Sequence, residues 1–137
     1  MDYYIRYFYD YMHEHGADAD RVTDYVFDYL EKRQEINREI SAREIHKHCE
    51  NCLGITIPYK AFLGALIYNR YRLCDGRQDV YLGLSTRAPI LRIRRGEPLK
   101  RRDIKISTIL SYYGERGLDP KLFDEQPDAE DAQKDTQ

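Results

Sequence analysis

Residues with helical spacing recur from the start of the chain. Ile5, Phe8, Met12 and His15 fall on one side, flanked by Tyr4, Tyr7 and Tyr11. This predicts a helix over residues 2–15, closed by Gly16. Val22, Tyr25, Val26, Tyr29, Leu30 and Arg33 form a second stripe, with Asp24, Asp28, Glu31 and Lys32 facing water. They predict a helix capped by Asp18 or Asp20 that runs to about Asn37. Ile40-Ser41-Ala42-Arg43-Glu44-Ile45 is a sharp start signal. Ser41 and Glu44 have capping-box spacing, and Ile40 and Ile45 fall at the hydrophobic staple positions, so a helix begins at Ala42.

Gly54 ends that helix, and Pro58 suits the first position of the next, where its missing N–H costs nothing. In residues 58–71, Phe62, Leu63, Leu66, Ile67 and Arg70 supply an inward stripe. Lys60, Ala61, Gly64, Tyr68 and Tyr71 lie on another face. The period then changes to two. Leu73 alternates with Arg72 and Cys74, and Val80, Leu82 and Leu84 alternate with Tyr81 and Gly83. Asp75-Gly76-Arg77 marks a turn, which predicts a β-hairpin over 72–84. Two prolines and a glycine break up residues 86–102, where ILRIR reads as a short strand inside a basic arm. Ile106, Ile109, Leu110 and Tyr113 predict a last helix over 103–113. The acidic segment from Asp119 has almost no apolar residues after Phe123 and reads as disordered.

Composition narrows the class. At 137 residues with 34% charged side chains, the chain reads as one intracellular, cytoplasmic domain over 1–118 with a tail over 119–137. No apolar run is long enough to span a bilayer, and the N-terminus lacks the order of a signal peptide. The net charge of −2 hides a strong asymmetry: residues 1–40 carry −5, residues 41–118 carry +8, and residues 119–137 carry −5. A local basic patch, rather than the mean, governs polyanion binding. Thirteen tyrosines suit half-buried surfaces and interfaces, so a subunit contact through the aromatic first helix, or through 103–113, is expected.

The stretch HKHCENC, residues 46–52, places two histidines and two cysteines together. Continuing the helix from Ala42 puts Ile45, Cys49 and Cys52 on one face, where reduced cysteine extends an apolar stripe. A structural zinc would need Cys74 and His46 or His48 as well, and Cys74 has no close second ligand beside it. A redox pair would sit at an exposed helix start, whereas Cys49-x-x-Cys52 comes late. There is no nucleophile elbow, phosphate loop or His-Glu-x-x-His. Neither a catalytic residue, a metal, a cofactor nor a small-molecule ligand is therefore expected.

The capped helix 42–52, the helix 58–71 and the hairpin 72–84 resemble a winged helix-turn-helix DNA-binding domain over residues 20–84. Their joining segment, Asn51 to Ile57, is longer than in a strict helix-turn-helix. The resemblance implies a mainly α fold with a small β-hairpin and extra N- and C-terminal helices. It also implies that helix 58–71 enters the major groove of double-stranded DNA while the hairpin touches backbone. On that reading Lys60 and Asn69 meet base edges or phosphate, Tyr59 and Tyr68 donate to phosphate, and Arg77 makes the wing contact. Arg92, Arg94, Arg95, Lys100, Arg101 and Arg102 add backbone affinity. The implied function is a non-catalytic, homodimeric transcriptional regulator. The alternative is a small protein-interaction module on the same scaffold, of the kind viral or mobile-element accessory proteins use. The small side chains Ala61 and Gly64 allow either close approach to DNA or tight helix–helix packing.

Overall fold

A computed structural model describes residues 3–99. They form five helices and a three-stranded antiparallel sheet: α1 (Tyr4–Glu14), α2 (Gly16–Tyr29), β1 (Lys32–Asn37), α3 (Ala42–Leu53), α4 (Tyr59–Tyr68), β2 (Leu73–Asp75), β3 (Val80–Leu84) and α5 (Pro89–Arg95). The strand order is β1-β3-β2, with both neighbours antiparallel to β3. Lys100, Arg101 and Arg102, the expected helix 103–113 and the acidic tail 119–137 lie outside the described residues.

The predicted start of α3 is where the sequence placed it. Ser41 Oγ accepts from the Glu44 backbone N–H at 3.2 Å, Ile40 and Ile45 are buried, and Gly54 terminates the helix with φ 65°. The reciprocal half of the capping box is not made, because the Glu44 carboxylate pairs instead with Arg94 at 2.9 Å. The hairpin is also present, with Gly76 N–H closing onto the Asp79 carbonyl at 2.6 Å.

Three expectations are corrected. Gly16 does not stop the first helix. His15 leaves the helical region after Glu14, and Gly16 opens α2, with Asp18 in its first turn rather than at its cap. The second helix ends at Tyr29, and residues 32–37 form a strand. That strand carries no apolar alternation, since Lys32 to Glu35 are all exposed. Pairing with β3 alone makes it a strand, and its register slips between Lys32 and Ile36 as a bulge. Finally, ILRIR is the helix α5. Pro89 opens it, Gly96 closes it with φ 74°, and Ile90, Leu91 and Ile93 are all buried. In so short a run, period two and period 3.6 predict nearly the same burial.

The core gathers Phe8, Tyr25, Tyr29, Ile45, Ile57, Phe62, Leu63, Leu66, Leu82 and Leu91. Tyrosine is a core residue here as much as a surface one. Tyr25 and Tyr29 stack at 4.7 Å, and the buried Tyr71 donates its hydroxyl to the Leu30 carbonyl at 2.8 Å. Burial pushes the Tyr71 hydroxyl up to about 12. Tyr71 thereby ties the end of α2 to the turn after α4. Arg70, expected on the inward stripe, is instead exposed with φ 67°.

Candidate functional site

The residues that follow α3 resolve the HKHCENC stretch. Cys49 is buried, and burial pushes its thiol far up from the ordinary value, so it packs as a small apolar group. His46 Nε2 lies 2.6 Å from the Ile57 carbonyl, which can only accept, so that nitrogen carries the proton. Glu50 accepts from the Ile57 N–H at 3.0 Å. Together His46 and Glu50 clamp the loop leading into α4. Cys52 Sγ is 3.3 and 3.2 Å from the two ring nitrogens of His48. Near-equal distances put the sulfur over the imidazole face, not in line with a lone pair, which is a packing geometry rather than that of a nucleophile and its base. Tyr25 holds the other side of His48, at 2.7 Å from Nδ1. Among the described residues, no group of three or more His, Cys, Asp or Glu side chains converges to hold a metal ion.

Helix α4, the expected groove reader, is the most enclosed helix among the described residues. Ala61, Phe62, Leu63, Gly64, Ala65 and Leu66 are all buried. Phe62, Leu63 and Leu66 point to the core. Ala61, Gly64, Ala65 and Tyr68 share the opposite side by helical spacing, and α1 packs there. A Cβ on Gly64 would run into the Tyr4 carbonyl and come within 2.9 Å of Phe8 Cβ. The small side chains therefore serve helix–helix packing.

The expected contact residues are individually engaged. Lys60 Nζ sits 5.3 Å from the Tyr7 ring, and the Tyr68 ring packs on Phe8 and Tyr9 at 5.6 and 6.0 Å. Tyr59 is half-buried under the Arg43 guanidinium at 4.4 Å, and burial raises its hydroxyl above the usual range. Asn69 closes α4, its side-chain amide donating to the Ala65 carbonyl at 2.8 Å, while its own carbonyl accepts from Lys32 at 2.7 Å.

The arginines of α5 are engaged too. Arg92 donates twice to the Pro98 carbonyl, at 3.2 and 2.6 Å. Arg94 forks onto Glu44 at 2.9 and 3.4 Å. Arg95 forks onto Glu39 at 2.6 and 2.5 Å and approaches Glu97 at 3.7 Å. These bonds raise both guanidinium groups, and Arg95 holds the Glu39 carboxyl below the usual range. Of the expected set within the described residues, only Arg77 at the hairpin tip is exposed without a hydrogen bond, ion pair or ring contact.

One surface was missed. The loop 69–72 and β1 bring Lys32, Arg33, Arg70 and Arg72 together, with Arg72 donating to the Gln34 carbonyl at 3.0 Å. Reading 32–37 as helix hid that proximity. An open polar cleft of about 480 Å³ adjoins it, lined by Arg33, Glu35, Leu84, Ser85, Thr86 and Arg87. A second exposed surface is the outward side of α1, where the aromatic excess suggests a subunit contact. Tyr3, Tyr7 and Tyr9 are 54%, 39% and 51% exposed, and Tyr68 of α4 beside them is 48% exposed. T-shaped contacts join Tyr3 to Tyr7 at 6.4 Å and Tyr9 to Tyr68 at 6.0 Å as two separate pairs, since Tyr7 and Tyr9 project from nearly opposite sides of α1.

No protein-family model, no curated protein and no solved structure matches this chain. Among the described residues, no helix is long and apolar enough to cross a membrane.

Proposed function

We propose that this chain is a non-catalytic protein-interaction module on a winged-helix-like scaffold, and that the exposed side of α1 carrying Tyr3 and Tyr7 meets the partner. The order α2-β1-α3-α4-β2-β3, with β1 on the outer edge of β3, is compatible with a winged-helix layout. The observation that carries the reading is the seating of α1 on α4 at Gly64. Groove reading by α4 would require α1 to leave. That would uncover Phe8 and Tyr11, both buried, at a cost of roughly 1.5–3 kcal/mol for each large side chain. Exposed tyrosines flanked by Lys60 and Arg6 suit a protein interface, where rigid aromatic rings and cations carry much of the binding energy.

The test is fluorescence anisotropy of a labelled random-sequence duplex, titrated with the full chain at low and at physiological salt. We expect no more than weak association, in the range of roughly 10⁻⁴ to 10⁻⁶ M that any basic surface gives at physiological salt. Nanomolar binding that falls steeply with salt and is lost in Lys60→Glu would overturn the proposal in favour of a DNA-binding regulator.

A further inference from the structure

We infer that the partner received by the α1 face is a second copy of this chain, with the two α1 helices antiparallel about a two-fold axis. This rests on the reading of that face as an interaction surface. Tyr3, Arg6, Tyr7, Asp10, His13 and Glu14 lie on the side of α1 away from the buried Phe8, and all are exposed.

Charge is segregated along this stripe. Arg6 stands in the N-terminal half, with Lys60 over the neighbouring Tyr7 ring, and Asp10 and Glu14 stand in the C-terminal half. Among the described residues, Arg6 and Asp10 make no ion pair. Glu14 reaches only His15, at 4.0 Å. Arg6 also runs against the helix macrodipole, near its positive end and with no acidic residue in the first turn, whereas at the negative end Glu14 stands beside His13, the basic residue of the last turn. Within one copy Arg6 and Asp10 are left without an ion pair, and Arg6 opposes the dipole.

A second copy resolves both conditions. A two-fold interface is self-complementary: if one residue meets another across it, the reverse contact also forms. Antiparallel α1 helices can set Arg6 of each copy beside Asp10 of the other. The register that places Arg6 beside Asp10 of the second copy brings Tyr7 next to its own symmetry mate and Tyr3 next to His13 of the second copy. Tyrosine rings thus fill the centre while charge pairs set the register. The two macrodipoles oppose one another. Parallel helices would instead align like charges.

The test is sedimentation equilibrium of the full chain over a concentration series, with circular dichroism to check that each variant is folded. The wild type is expected to dimerise reversibly. Arg6→Glu and Asp10→Arg should each weaken the dimer by roughly tenfold or more. The double variant R6E/D10R should recover it. An equimolar mixture of the two single variants should form a heterodimer, since its pairs are again of opposite sign. A wild type that stays monomeric, or a dimer indifferent to both reversals, overturns the inference. Either result leaves the interaction reading standing if duplex DNA still binds only weakly. Tight, salt-sensitive DNA binding would defeat that reading whatever the oligomeric state.

Discussion

Gly64 of α4 lies directly against the backbone of Tyr4 in α1: a Cβ at Gly64 would meet the Tyr4 carbonyl oxygen and sit 2.8 Å from the Tyr4 carbonyl carbon. The neighbour is backbone within a helix, so a side chain cannot simply swing away. This contact decides which surface of the molecule is available, because it closes the outward side of α4.

Gly64→Ala should therefore destabilise the protein by about 1–3 kcal/mol, the usual cost of forcing a methyl into a packed interior. Alanine's better helix propensity offsets part of that. A urea titration checks it, with a lower midpoint at unchanged slope as the expected outcome. An unchanged or higher midpoint would mean that α1 is not seated on α4, and the groove-reading helix would be open after all.

Arg70 is held at φ 67°, and it is the one residue other than glycine with positive φ among the described residues. It occupies the turn that ends α4, where Tyr71 N–H bonds to the Leu66 carbonyl at 2.9 Å and Arg70 N–H to the Ile67 carbonyl at 2.9 Å. Glycine commonly takes such a helix-ending position, since it has no Cβ to strain. Arg70→Gly should raise stability by roughly 0.5–1 kcal/mol, after allowing for glycine's greater freedom in the unfolded chain. Thermal and urea denaturation of the variant would measure this. A loss of stability would show that the Arg70 side chain makes contacts worth more than the backbone strain.

The Glu39–Arg95 pair makes stability depend on acid. Arg95 holds the folded Glu39 carboxyl below its ordinary value, chiefly through their hydrogen bonds. An unfolded glutamate protonates near about pH 4.3. The pair's contribution is therefore complete above that value and is lost as pH falls through the lower folded value. Melting temperatures measured from about pH 6 down to about pH 3 should fall less steeply in Glu39→Gln than in the wild type. Parallel pH profiles for the two proteins would refute the assignment.

The start of α3 and the hairpin were legible because their signals are local, whereas the local signals of α5, Pro89 and Gly96, bracket a run short enough to fit a strand as well. The start of α3 needs only Ser41, Ile40 and Ile45, and its end needs only Gly54. The hairpin needs only alternation and a turn. The strand β1 failed that test because KRQEIN has no apolar alternation, and its extended form comes from β3. The basic arm failed for a related reason. Arg94 and Arg95 find their carboxylates 50 and 56 residues away along the chain, at Glu44 and Glu39. No reading of the segment 86–102 alone shows that the charges of Arg94 and Arg95 are already answered.

The sequence by itself determined the presence of α1 to α4, the capped entry to α3, the hairpin and the packing role of Cys49. Each depends on residues within a few positions of one another, through backbone hydrogen bonds and side-chain periodicity. Only the tertiary structure decided that α1 covers α4, that Lys60 and Tyr68 serve α1, and that the arginines of α5 are paired within the chain. Those outcomes depend on which helix fills the shallow side left by Ala61, Gly64 and Ala65. A small-residue face accepts a helix or a groove equally well until the chain brings one of them to it.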